Sequence, residues 1–203
     1  MASRHCCKRS DGSCWYPRTD ISGDGQVVVV QFQSGHSVEV LPAWSLENGK
    51  FRTPNTHNGG SWHDADHDAE EEFVDLSDKA SDGNTRDVIR MMKAWQSNCS
   101  VPIKSLAIEL RAVEFIRTWP HRGRSSEYYD WMVRDYFAEL VSKANCTHVV
   151  PGTDDKFSYE DRWLSRAQTA HARAVRACGF EAQDLHYAAV EEWEKIFGGI
   201  FSA

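Results

Sequence analysis

Apolar residues crowd into one short run near the start of the chain and then recur at helical spacing along most of its length. Residues 26–32, QVVVVQF, hold four consecutive valines and a phenylalanine, and 37–41, SVEVL, is a second short run with β-branched residues. Gln33, Ser34, Gly35 and His36 lie between them as a turn, so the pattern predicts a β-hairpin. With Phe32 opposite Ser37, Val30 faces Glu39 and Val28 faces Leu41, while Val29, Val38 and Val40 share the other face. Both faces then read as buried. A buried carboxylate is costly unless it is paired, hydrogen-bonded or bound to a metal, which makes Glu39 the first candidate for chemistry.

Residues 45–61, rich in Gly, Asn, Thr and Pro, predict an extended crossing loop. An acidic helix is expected over 66–80, with Ala69, Phe73 and Leu76 on one stripe and carboxylates near its N-terminus, where the helix dipole favours them. Over 84–97 the period is stronger: Val88, Met92 and Trp95 fall at i, i+4 and i+7, and Asn84 or Thr85 can cap the start. Helices follow over 103–118, with Leu106, Leu110 and Val113 on one side, and over 127–143, with a broad face from Tyr129 to Leu140. Residues 145–157 read as a loop. Residues 159–177 carry the small stripe Ala167, Ala170, Ala174 and Ala177, which allows close packing, and 184–197 form a last amphipathic helix with Leu185, Trp193 and Ile196. Residues 1–15 have neither period nor apolar face and read as a disordered or non-homologous leader. The fold class is α+β, a hairpin followed by five or six helices.

Composition narrows this picture. At 203 residues and 41% hydrophobic content the chain can build one well-cored domain or most of a two-lobed one. Its net charge of -7 is concentrated in 64–82, where nine acids meet the single base Lys79. The remainder is close to neutral and shows no general basic footprint for duplex nucleic acid. Six scattered cysteines without paired metal-site spacing, and no signal peptide or membrane-length apolar run, point to a reducing cytoplasm.

The run at 19–43, TDISGDGQVVVVQFQSGHSVEVLPA, resembles the bacterial cGAS/DncV-like nucleotidyltransferases, also called CD-NTases or SMODS-domain enzymes. Further matches follow in order: Gly59-Gly60-Ser61-Trp62, then RMMKAW at 90–95, VPIKSL at 101–106, Tyr128-Tyr129-Asp130, and EWEKIFG at 192–198. Each is weak alone, and their order is what carries the likeness. The resemblance implies a polymerase-β-like sheet whose last part and crossing loop occupy 16–62, and a helical lobe over 63–203, with nucleotide in the cleft. It implies that Glu39 is the third metal-binding acid for Mg²⁺ or Mn²⁺, that Lys93 reaches the triphosphate, and that Ser105 hydrogen-bonds it at a helix N-terminus. Read without the family, Glu39 is a solvated edge glutamate, Lys93 a surface lysine and Ser105 an ordinary first-turn serine.

The chain also departs from that pattern. Relatives begin with a Gly-Ser motif and a strand carrying two acids one residue apart; Gly12-Ser13 is followed too closely by Asp20-Ile21-Ser22, with serine in the second acid's place. The expectation is a C-terminal portion of an enzyme that makes cyclic nucleotide signals from ribonucleoside triphosphates in antiphage (CBASS) defence. It is expected to be inactive alone, and to be completed by an N-terminal fragment or partner strand. The alternative is a catalytically silent nucleotide-binding or interaction module. His57, His63, Asp64, Asp66, His67 and Asp68 form a rival cluster, readable as a transition-metal site or as an acidic helix start.

Overall fold

The valine run forms the centre of a three-stranded antiparallel sheet, β1 (Asp20–Asp24), β2 (Val27–Gln31) and β3 (Ser37–Val40), in that order. The computed structural model describes residues 20–56, 59–152 and 156–200; the expected leader and Gly12-Ser13 lie outside these, as does His57. Gly25 and Gln26 join β1 to β2, and Gly25 takes φ 59°, the left-handed position that a two-residue type II′ turn requires. The pairing of β2 with β3 differs from expectation by one residue. Phe32 donates its N–H to His36 O at 2.9 Å, and Gly35 sits at φ 87°, so a three-residue loop ending in a left-handed glycine replaces the four-residue turn.

That slip exchanges the faces of β3 relative to β2. Val29 now pairs with Glu39, Val28 with Val40 and Val30 with Val38. Through the β1 pairing, Asp20, Ser22 and Asp24 stand on the same face as Val29 and Glu39. Ile21, Val28, Val30, Val38 and Val40 make the other face. The expectation that both faces are buried fails: none of the strand residues here is buried, and Glu39 is exposed.

The stretch read as a loop after residue 45 contains a second antiparallel sheet, ordered β4 (Trp44–Ser45), β5 (Phe51–Asn55) and β6 (Ser61–Ala65). Its strands are short and mostly polar, which hid them from an apolar-run criterion. Thr53 and Ala65 are buried, and Arg52 on β5 clamps its cross-strand partner Asp64 with two hydrogen bonds of 2.7 and 2.8 Å. Trp44 and Trp62 meet edge to face at 5.1 Å between centroids. These two sheets belong to a compact unit ending at His67, and a second compact unit begins at Asp68.

The second unit is helical. It contains most of α1 (His67–Ala80), then α2 (Asn84–Asn98), α3 (Ser105–Thr118), α4 (Tyr129–Val141), α5 (Leu164–Glu181) and α6 (His186–Phe197). The stretch expected as a loop before α5 holds a small hairpin, β7 (Thr147–Val149) paired with β8 (Lys156–Ser158). Val88, Met92 and Trp95 of α2, Ile108 and Ile116 of α3, and Met132, Phe137 and Leu140 of α4 are buried together. Trp95 meets Phe137 edge-on at 5.0 Å. The alanine stripe of α5 is buried throughout, as close packing of small residues requires.

Three local readings are corrected. Leu76 is 59% exposed and Leu185 49% exposed, whereas Val74 packs on the core from α1. Gly83, in the left-handed conformation, precedes α2 in place of a side-chain cap. Asn84 instead donates to the carbonyls of Arg122 and Arg124, each at 2.8 Å, and pins the loop after α3 to the start of α2. Among the described residues, no helix is long and apolar enough to cross a membrane.

Candidate functional site

Glu39 is delivered by the hairpin to a solvent-facing sheet surface that also carries Asp20 and Asp24. This grouping follows from the register alone and was invisible to the sequence pattern, which counted a different turn. The three acids do not converge. β2 lies between β1 and β3, so Glu39 is two strand spacings, about 10 Å, from β1, where Ser22 stands in line with it and Asp20 and Asp24 lie two residues to either side. A pair of Mg²⁺ ions needs several carboxylate oxygens at about 2.1 Å from each ion. The residues described here therefore do not by themselves fit a two-metal site.

Lys93 and Ser105 belong to the helical unit. Ser105 is the first residue of α3, exposed, and no side chain caps that helix start. Such an end presents backbone N–H groups and a partial positive charge suited to phosphate. Lys93 on α2 reaches across to α3, where its ammonium lies 2.5 Å from Glu109 Oε1. Glu109 is one helical turn beyond Ser105 and so shares its face. The structure thus brings Lys93 and Ser105 to the same side of the α2–α3 pair, and it adds a carboxylate that sequence reasoning overlooked. Leu106 is only half buried, with the core face of α3 formed by Ala107, Ile108 and Leu110.

Among the described residues, no metal-holding group forms from the rival His and Asp cluster, of which His57 and the His67 side chain lie outside the description. Asp64 is committed to Arg52, whose hydrogen bonds hold its carboxyl below the usual carboxylate range. Among the described residues one group has the geometry to hold a metal ion, and it is elsewhere: Asp130, Cys178 and Glu181 in the helical unit, with ligand atoms within 4.8 Å of one another.

No protein-family model matches the chain. The curated "Probable cyclic nucleotide synthase" of Bacillus cereus is 25% identical over 175 residues, which are 80% of this chain and 51% of that protein. The di-nucleotide cyclase DncV of Vibrio cholerae, solved with ATP, GTP and a further ligand, superposes with a TM-score of 0.75 at 13% identity, covering 92% of this chain and 55% of that one. The fold is that of the cGAS/DncV-like nucleotidyltransferases. CdnC of Escherichia coli, solved in complex with a HORMA protein, agrees at a TM-score of 0.67 and 18% identity over 90% of this chain and 65% of its own. The chain thus spans about half the length of the curated relative it matches. Within this nucleotidyltransferase fold the chain has the hairpin expected of it and, among the described residues, six α-helices.

Proposed function

We propose that this chain supplies the third metal-binding acid, Glu39, and the triphosphate-holding helical lobe of an enzyme that joins ribonucleoside triphosphates into cyclic di- or oligonucleotide second messengers. Its setting is the cytoplasm of a bacterium, in antiphage (CBASS) defence. The observation that carries the reading is the likeness to DncV over nearly the whole chain, joined to the sequence match with a cyclic nucleotide synthase. In the reaction, a ribose hydroxyl attacks an α-phosphate and pyrophosphate leaves, so the protein's task is to position the triphosphate and stabilise its charge. Lys93 and Ser105 bind and orient the phosphates, and Glu109 neutralises Lys93 until they arrive. Glu39 is one acid of a set whose other members come from outside the residues described here, as a contiguous segment or a second polypeptide that completes the sheet.

The reading is tested on the 203-residue polypeptide by itself, which is expected to make no product. The test is incubation with Mg²⁺ or Mn²⁺ and labelled ATP, GTP, CTP and UTP, with and without a relative's fragment bearing the two missing acids. No product is expected from the chain alone. Product should form in the complemented mixture and fall by several orders of magnitude in Glu39→Gln. Synthesis by the lone chain that survives Glu39→Gln would overturn the assignment, with Asp20 and Asp24 the next acids to substitute.

A further inference from the structure

We propose that the cavity between α2, α4, α5 and α6 binds a small flat organic cation of the amidine or amino-heteroaromatic class. The cavity measures about 470 Å³, within the range of small-molecule sites and far larger than a water-filled gap. Its walls are apolar and aromatic: Met91 from α2, Val133 from α4, and Trp193 and Phe197 from α6. The last two rings lie near-parallel, 6.2 Å apart between centroids. Asp130 and Glu181 mark its polar end. A flat body against aromatic faces and two acceptors at one end describe a conjugated cation with paired N–H donors, since aromatic rings attract cations and carboxylates take amidinium groups in a two-pronged fashion.

The charges around that end favour a cation. Glu127 and Asp130 approach from the start of α4 and the short turn before it, and Glu181 from α5. Arg134 is the nearby positive group of α4, and it is already hydrogen-bonded to Asp135 at 2.8 Å. From α6, the Trp193 indole donates to Glu181 Oε1 at 2.8 Å. Asp130 and Glu181 bring two carboxylates together at this end, with oxygens within 4.8 Å of one another. Cys178 completes a trio with metal-like spacing, but it does not line the cavity. The site is independent of Glu39, Lys93 and Ser105.

Benzamidine, with neutral benzamide as its isostere, is the probe. Titrated into the full chain and followed by calorimetry and by the Trp193 indole N–H resonance, benzamidine should bind saturably at one site and shift that resonance. Benzamide should bind roughly tenfold more weakly or worse, as expected for loss of charge-assisted hydrogen bonds. Glu181→Gln, which keeps an acceptor for the indole, should weaken benzamidine by a similar factor with the melting temperature nearly unchanged. Absence of saturable binding, equal affinity for benzamide, or a titration that leaves the Trp193 resonance unmoved would each overturn the proposal, even if the Glu181 variant failed to fold.

Discussion

Lys93 rests 2.5 Å from Glu109, so in the absence of nucleotide its charge is already answered. On the proposed role of Lys93, a triphosphate displaces that carboxylate, and removing its charge should help. Calorimetry with ATP should show tighter binding in Glu109→Gln than in wild type and binding about tenfold weaker or worse in Lys93→Ala, the usual scale for one charge-assisted hydrogen bond. Identical affinities in wild type and Lys93→Ala would remove Lys93 from the site. A second residue-scale expectation concerns pH. His148 is held below the ordinary imidazole value, first by burial and then by Arg111, whose Nη2 lies 3.3 Å from His148 Nδ1. The folded state therefore favours the neutral ring. Its contribution to stability is complete above the unfolded value of about 6.5 and is lost as pH falls from there through the folded value. Melting temperatures between pH 8 and 5 should fall in wild type and fall less in His148→Gln. The sequence made Lys93 and Ser105 legible as candidates. It hid Glu109, although an acid one turn past Ser105 was in plain view, because its relevance depends on which face of α3 meets α2.

At the scale of elements, the hairpin register matters most. The strand run was legible, since four valines in a row have few other uses, yet the turn was counted one residue too long. Gly35 in the left-handed region closes a three-residue loop, and that single difference moved Glu39 to the face of Asp20 and Asp24. It also leaves Ile21, Val28, Val38 and Val40 together on a face where Val38 is 44% and Val40 49% exposed. An exposed apolar sheet face beside β3, an edge strand among the described residues, is a template for association. Light scattering should show concentration-dependent self-association of the wild-type chain, reduced by Val38→Lys or Val40→Lys. Val29→Lys, on the acid-bearing face, should have a smaller effect. A wild-type chain that stays monomeric at every concentration would show that this surface is not adhesive.

Over the whole molecule, burial is distributed unevenly. The first sheet buries none of its strand residues, whereas the helical unit encloses Trp95, Trp163, Met92, Phe137 and Ile108 almost completely. Opening free energy follows buried contact, so amide hydrogen exchange should be fast across β1–β3 and slow in α2, α4 and α5. Equal protection in the two units would contradict this. The sequence by itself determined the helices and the central strand, because apolar periodicity is a property of near neighbours and is written residue by residue. Tertiary structure alone decided what faces what: Glu39 on the sheet face of Asp20 and Asp24, Lys93 on Glu109, and Asp130 against Glu181. Those pairings depend on a hydrogen-bond register set by one glycine's backbone angle and on the angle at which distant helices pack. Neither quantity is encoded in the spacing of residues along a single element.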